Sequence, residues 1–254
     1  MCGRFAVTTD PATLAEKIEA INESRSAESA GPNYNVAPTT TITTVVRRHD
    51  EPDDQATRRV RSMRWGLVPP WAKAGADAAP ESKGPLLINA RAEKVTTSPA
   101  FRSSAKSKRC LIPMDGYYEW RANADTDSGK KSRKTPFFMH RLDGELLFMA
   151  GLWSVWKSPS SPSATPLLSC TIITTDAVGE LAEIHDRMPL IVAEGDWDRW
   201  LDPDVPADLD FLATPPSIDG IEMREISTLV NSVRNNGPEL LEPAQPQPEQ
   251  ATLL

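Results

Sequence analysis

The sequence predicts an α+β fold, a single domain built on a β-rich core, and three observations carry that expectation. The 254-residue chain is 39% hydrophobic and 25% charged, enough apolar material for a real core and against disorder of the whole. Its 23 prolines disfavour an all-helical bundle. Alternating Thr/Ile/Val-rich runs fill the middle of the chain, while helical patterns are confined to its beginning and its last third.

Residues 11 to 24 read as an amphipathic helix, with Asp10-Pro11 as cap and first turn and Leu14, Ile18 and Ile21 on one face. Strands are expected at Thr40 to Arg47, Arg58 to Trp65, Arg109 to Pro113, Pro136 to Arg141, Glu145 to Gly151 and Leu167 to Thr175. Between them, 49 to 57, 73 to 84 and 122 to 135 read as surface insertions. Helices follow at Val178 to Ile184 and Glu194 to Leu201. With no repeat and no linker, residues 1–243 form one domain, and the Pro/Gln-rich residues 244–254 form a disordered tail.

Cys2, Cys110 and Cys170 are too scattered for a disulfide framework, and their spacing suggests no zinc site. Neither metal nor cofactor is expected. The start, Met1-Cys2-Gly3-Arg4-Phe5, lacks the apolar stretch of a signal peptide, and no run approaches the roughly 20 apolar residues that span a bilayer. A cytoplasmic protein with no membrane partner, monomeric by default, is the expectation.

The formal charge of −7 argues at first against nucleic acid. Its distribution argues otherwise. Residues 1–157 carry 24 basic and 18 acidic side chains, whereas 158–254 carry 4 and 17. Residues 58–141 alone hold 18 basic against 7 acidic residues, interleaved with Trp65, Trp71, Phe101, Tyr117, Tyr118 and Trp120. Cations among flat aromatic faces suit a single-stranded nucleic acid; a solvated face beside ordinary core aromatics is the plainer alternative.

Four segments could carry chemistry. Removal of Met1 would leave Cys2 as a 1,2-aminothiol, whose amine, at an ordinary pKa of roughly 7.7 to 8.0, is far more often neutral than a lysine. It could form a Schiff base with an aldehyde and close a thiazolidine ring, or attack an amide. A small residue of no consequence near a terminus is the alternative. Asn89 and Arg91, two apart after the apolar Leu86-Leu87-Ile88, would share one face of a strand, where Asn89 suits an oxyanion or sugar hydroxyl and Arg91 a phosphate. Glu119 stands among three aromatics in Tyr117-Tyr118-Glu119-Trp120, a setting for a general acid or for a plain ion pair. His185, beside Asp186 and Arg187, is either a tunable group or a structural histidine.

Taken together, Met-Cys-Gly-Arg-Phe, Tyr34-Asn35-Val36-Ala37-Pro38, Trp65-Gly66-Leu67-Val68-Pro69, Ile88-Asn89-Ala90-Arg91-Ala92-Glu93, Gly116-Tyr117-Tyr118-Glu119-Trp120, Ile184-His185-Asp186-Arg187-Met188-Pro189 and the late Val230 to Gly237 segment resemble, in order over residues 2 to 243, the SOS-response-associated peptidase (SRAP) family. That resemblance implies a mostly antiparallel, barrel-like core flanked by a few helices. It implies covalent capture of abasic sites in single-stranded DNA, with Cys2 as crosslinking nucleophile, Asn89 positioning amine and deoxyribose, Glu119 as acid/base and His185 assisting sugar opening. Arg4, Asn35, Pro38, Trp71 and Arg91 match positions lining the family's DNA channel, and Thr174 lines the site. The insertions at 73–84 and 122–135 depart from the pattern, as does Pro99, which falls where relatives often have a basic residue. An N-terminal-nucleophile thiol peptidase and a non-covalent reader of single-stranded DNA are the competing functions.

Overall fold

The computed structural model describes residues 2–24, 31–75, 79–81, 84–123, 134–161 and 163–244. The tail from 245 and the larger part of the 122–135 insertion lie outside them. The chain opens with strand β1 (Arg4–Val7) and helix α1 (Pro11–Lys17). Strands β2 (Ile21–Asn22), β3 (Asn33–Val36), β4 (Thr41–Arg48), β5 (Thr57–Trp65) and β6 (Asn89–Arg91) follow. After α2 (Arg102–Ser107) come β7 (Arg109–Met114), β8 (Gly116–Ala122), β9 (Lys134–Arg141), β10 (Leu147–Trp156), β11 (Leu167–Asp176) and β12 (Arg187–Pro189). Helices α3 (Trp197–Leu201) and α4 (Leu209–Ala213) precede the last strand, β13 (Ile221–Glu225).

Two sheets organise the molecule. In the larger, β5, β4, β7, β10 and β11 are joined in turn by antiparallel pairs, and β11 returns to β5 through a parallel pairing of Ser169 with Arg64 and Cys170 with Trp65. The ring is closed, as a barrel-like core requires. The smaller sheet runs β13-β9-β8-β1-β3. One face of the ring (Val45, Leu111, Ala150, Leu152) packs with Leu14, Ile18, Trp197 and Trp200 from the helices. The other (Met63, Trp65, Ile112, Ile172) packs with Phe5, Tyr117 and Met139 of the smaller sheet. Behind that sheet, Ala6, Tyr118 and Phe138 pack against Ile226, Val230 and Leu240. The order of layers is therefore helices, ring, sheet, C-terminal segment.

The first helix is shorter than the 11 to 24 expected. Asp10 caps it by accepting from the Ala12 and Thr13 N–H groups at 3.0 and 3.1 Å, and Pro11 supplies the first turn. Glu19 then takes φ 52, a left-handed stop, and Ala20 N–H closes on the Ala15 carbonyl at 2.8 Å. Ile21 leaves the helix to pair with Arg59 of β5, which breaks the apolar stripe. The helix expected at Val178 to Ile184 is a 3-10 helix, Gly179–Glu183, and the Glu194 to Leu201 helix is a 3-10 turn leading into α3. The expected strands are present with shifted ends, β10 running five residues past Gly151. Among the described residues, no helix is long and apolar enough to cross a membrane.

Gly116 shows how tightly the smaller sheet is built. A Cβ there would lie 2.4 Å from the Met139 carbonyl oxygen and 2.5 Å from the Phe138 ring. Backbone on one side and a packed aromatic on the other leave no room to yield. Gly116→Ala is expected to destabilise the protein by about 3 kcal/mol, read from the urea midpoint.

Candidate functional site

The short motifs converge where the N-terminal end of β1 meets the β6–β11 edge of the ring. Cys2 is wholly buried there, and its carbonyl accepts a 2.8 Å hydrogen bond from Asn89 Nδ2. Asn89 is held by its own neighbours. Trp65 Nε1 donates to the Ile88 carbonyl at 3.0 Å, Ile172 N–H donates to that same oxygen at 3.0 Å, and Leu67 N–H donates to the Leu87 carbonyl at 3.0 Å. Gly66, at φ 115, makes the turn that brings Trp65 and Leu67 to this segment. The Trp65-Gly66-Leu67 motif is thus a support for Asn89.

Asn89 and Arg91 do lie on one face of β6, with Ala90 buried on the other, and β6 pairs in parallel with β11 so that Arg91 stands opposite Thr174. Arg91 is exposed, and its side chain donates no hydrogen bond among the described residues. From the smaller sheet, Tyr117 and Glu119 project from one face of β8 and Tyr118 and Trp120 from the other. Glu119 is buried, and both Cys2 and Tyr117 feel its charge. Burial, and then the Glu119 charge, push the Cys2 thiol well above its ordinary range. Near neutral pH the sulfur is a thiol.

Three buried or part-buried side chains here carry polar atoms without a hydrogen-bond partner among the described residues: Asn89 Oδ1, Tyr117 Oη and Thr174 Oγ1. Buried polar groups are ordinarily satisfied; Asn89 reaches the Cys2 backbone, Tyr117 packs in the same cluster as Cys2, and Thr174 stands opposite Arg91 in the β6–β11 register, so these three mark a region suited to a polar ligand.

The histidine segment is anchored by Arg187. Its guanidinium, itself buried, pairs with Asp176 at 2.5 Å and Glu93 at 3.0 Å and donates to the Thr174 carbonyl at 2.7 Å. One cation therefore joins the end of β11 to the turn after Arg91. His185 sits two residues before it, at this same end of β11, about a third of its side chain exposed. Its Nδ1 lies 3.0 Å from the Arg187 N–H and 2.6 Å from Asp186 Oδ1. Unprotonated, Nδ1 accepts the first contact; protonated, it donates to the second. Sequence reasoning passed over Arg187 as a member of the site, although its charge directly before the apolar Met188-Pro189-Leu190 run was the available signal.

The remaining expected residues divide. Arg4 NH1 donates to Asn35 Oδ1 at 2.8 Å and to the Val230 carbonyl at 2.7 Å, and its guanidinium stacks 5.7 Å from the Trp120 ring centroid. Asn35 Nδ2 reaches the carbonyls of Ser232 and Asn235, each at 3.0 Å, and Trp120 Nε1 donates to Asn231 Oδ1 at 2.7 Å. Asn35 is therefore buried structure that clamps the 230–236 segment onto the smaller sheet. Trp71 is 68% exposed, an uncommon position for so large an apolar ring, and Pro38 is half-buried. Among the described residues no cluster of three or more His, Cys, Asp or Glu side chains is arranged to hold a metal ion.

Comparison with known proteins identifies relatives of the whole chain. Residues 1–233 match the family described as SOS response associated peptidase, SRAP. The Bacillus subtilis abasic site processing protein YoqW is 37% identical over 244 residues, covering 95% of this chain and 99% of its own. The chicken abasic site processing protein HMCES is 31% identical over 281 residues, covering 96% and 78%. A crystal structure of a Bacteroides thetaiotaomicron protein shares the fold at a TM-score of 0.77 and 21% identity, over 96% of this chain and all of that one.

The Asn35 clamp is testable apart from any reaction. Asn35→Ala strands the Arg4 donor and the carbonyls of residues 232 and 235, and is expected to cost about 2 kcal/mol of stability. Hydrogen exchange should quicken at residues 230–236 ahead of β8.

Proposed function

The chain belongs to the SOS response associated peptidase family, and on that premise we propose that it captures abasic sites in single-stranded DNA as a covalent thiazolidine adduct of Cys2. The observation that carries this reading is a buried Cys2 whose carbonyl is held by Asn89 of one sheet and which packs with Tyr117 and feels the charge of Glu119 of the other.

An abasic deoxyribose is mostly a closed hemiacetal. Glu119 and His185 move the protons that open it to the aldehyde. Once Met1 is removed, the Cys2 amine, at the end Asn89 holds by the neighbouring carbonyl, adds to C1′. The carbinolamine loses water with a proton from one of the same two groups, giving an imine. Sulfur then closes a five-membered ring on that carbon. The cyclised adduct no longer has the imine that acidifies the C2′ hydrogens, so strand scission by β-elimination is suppressed. Arg91, exposed beside the site, takes a flanking phosphate, and exposed Trp71 offers a face on which a base can stack. Arg4 contributes through the Asn35 clamp and through its Trp120 stack, with Pro38 and Thr174 lining the channel and the site.

The state of the thiol favours this order over the peptidase reading. A thiol peptidase needs sulfur ionised for the first attack, and here burial and Glu119 both oppose ionisation. In the crosslinking order the amine acts first, and sulfur has only to close a ring on an electrophile already bonded to its own residue. Proximity replaces intrinsic nucleophilicity.

Purified protein lacking Met1, incubated with single-stranded DNA bearing an abasic site, should give a band that survives denaturation and heating. Cys2→Ala should abolish the heat-stable band, and Glu119→Gln should slow its appearance by about a hundredfold. Repeated release of a peptide product with no DNA adduct would establish the peptidase instead. Adduct-free binding that survives Cys2→Ala and weakens with salt would establish the non-covalent reader.

A further inference from the structure

We infer that Tyr117 is the hydrogen-bond donor to the Cys2 sulfur during ring closure, an assignment that rests on the function proposed above. Tyr117 is 1% exposed, yet its hydroxyl has no partner in the protein. A phenylalanine would fill the same space without stranding a polar atom. The ring is fixed by register, between Phe5 of β1 and Met139 of β9, so the hydroxyl has little freedom to seek solvent. It shares the face of β8 that carries Glu119 and belongs to the same packed cluster as Cys2. Burial above all holds the phenol in its neutral form, so near neutral pH it keeps the proton with which it can donate.

Ring closure needs such a donor. The Cys2 thiol gives up its proton in a buried setting that disfavours the thiolate, and a sulfur lone pair forms the bond to C1′. The π pair of the C=N bond passes to nitrogen, and the thiol proton, relayed by Glu119, ends on that nitrogen as the thiazolidine N–H. Between loss of the proton and formation of the C–S bond, sulfur bears negative charge. The Tyr117 O–H, in the same packed cluster and with no hydrogen-bond partner among the described residues, can turn to that charge and stabilise it at no cost in broken hydrogen bonds. The amine step makes no such demand on sulfur, so Tyr117 should distinguish the two halves of the reaction.

The test is Tyr117→Phe in the full chain, reacted with abasic single-stranded DNA and sampled in two ways. Borohydride quenching captures imine as well as thiazolidine, whereas heating without borohydride leaves only thiazolidine. The variant should form borohydride-trapped adduct at the wild-type rate, form heat-stable adduct at least about tenfold more slowly, and melt at or above the wild-type temperature. Heat-stable adduct at the wild-type rate overturns the assignment. So does equal slowing of both steps, which would put the hydroxyl on the sugar or the amine, and so does a lowered melting temperature, which would make it structural. Wild-type protein that forms neither adduct overturns the parent reading and this assignment together.

Discussion

One hydrogen bond, from Asn89 Nδ2 to the carbonyl of Cys2, crosses the seam between the closed ring and the smaller sheet. A chain end ordinarily frays, because few contacts restrain it. Here the end must be buried and held if an amine and a thiol on adjacent carbons are to meet one electrophile. Much of the architecture follows from that requirement. β1 lies between β8 and β3 so that the residues before it enter the core, and the Trp65-Gly66-Leu67 turn grips the strand from which Asn89 reaches across. Closure of the ring through β11 and β5 brings that turn and β6 onto one edge.

Burial then sets the chemistry. A fully buried sulfur next to a carboxylate is a poor nucleophile by itself, and its thiol stays protected from most reagents. In the reaction proposed above this gives an order in time: the amine reacts while sulfur waits, and sulfur becomes useful only when a carbon electrophile is bonded to its own residue. The unsatisfied oxygens of Asn89, Tyr117 and Thr174 lower the stability of the free protein, since each is a polar atom removed from water without repayment by a bond. Such groups are tolerable in a fold whose ring and sheet faces are elsewhere densely apolar.

The fold class, most strands of the ring and the segments that carry the four proposed reactive residues were legible because they depend on local signals: alternation, β-branched runs, and short motifs of unusual composition. β1, β3, β8 and β13 escaped for a physical reason. β1, β3 and β13 are only four or five residues long, too short for alternation to show, and Tyr117-Tyr118-Glu119-Trp120 shows no alternation of polar and apolar because both sides of β8 are occupied, one by the site and one by the 230–236 segment. The first helix was overread because Ile21 continues the apolar period although Glu19 has already turned the chain. Asn35 looked like a channel residue from its motif; only the three-dimensional contacts show that its amide is spent on backbone carbonyls.

The charge pattern was legible in sign and misleading in amount. Much of the basic surplus in 58–141 is consumed inside the molecule: Arg58 pairs with Asp198, Arg59 with Glu23 and Asp50, and Arg141 with Asp143, while Arg109 is buried against the carbonyls of Ala105 and Trp200. Part of the acidic surplus after residue 157 serves as counter-charge to the basic half, as with Asp198 on Arg58 and Asp204 on His49. A linear count treats every arginine as available to a phosphate, and folding removes most of these from the account. Arg91 keeps its charge in solvent, beside the site and close to the one cation, Arg187, that organises it from behind. On the function proposed above, Arg91 meets a flanking phosphate at the reactive site itself, a contact that salt weakens before the covalent bond forms.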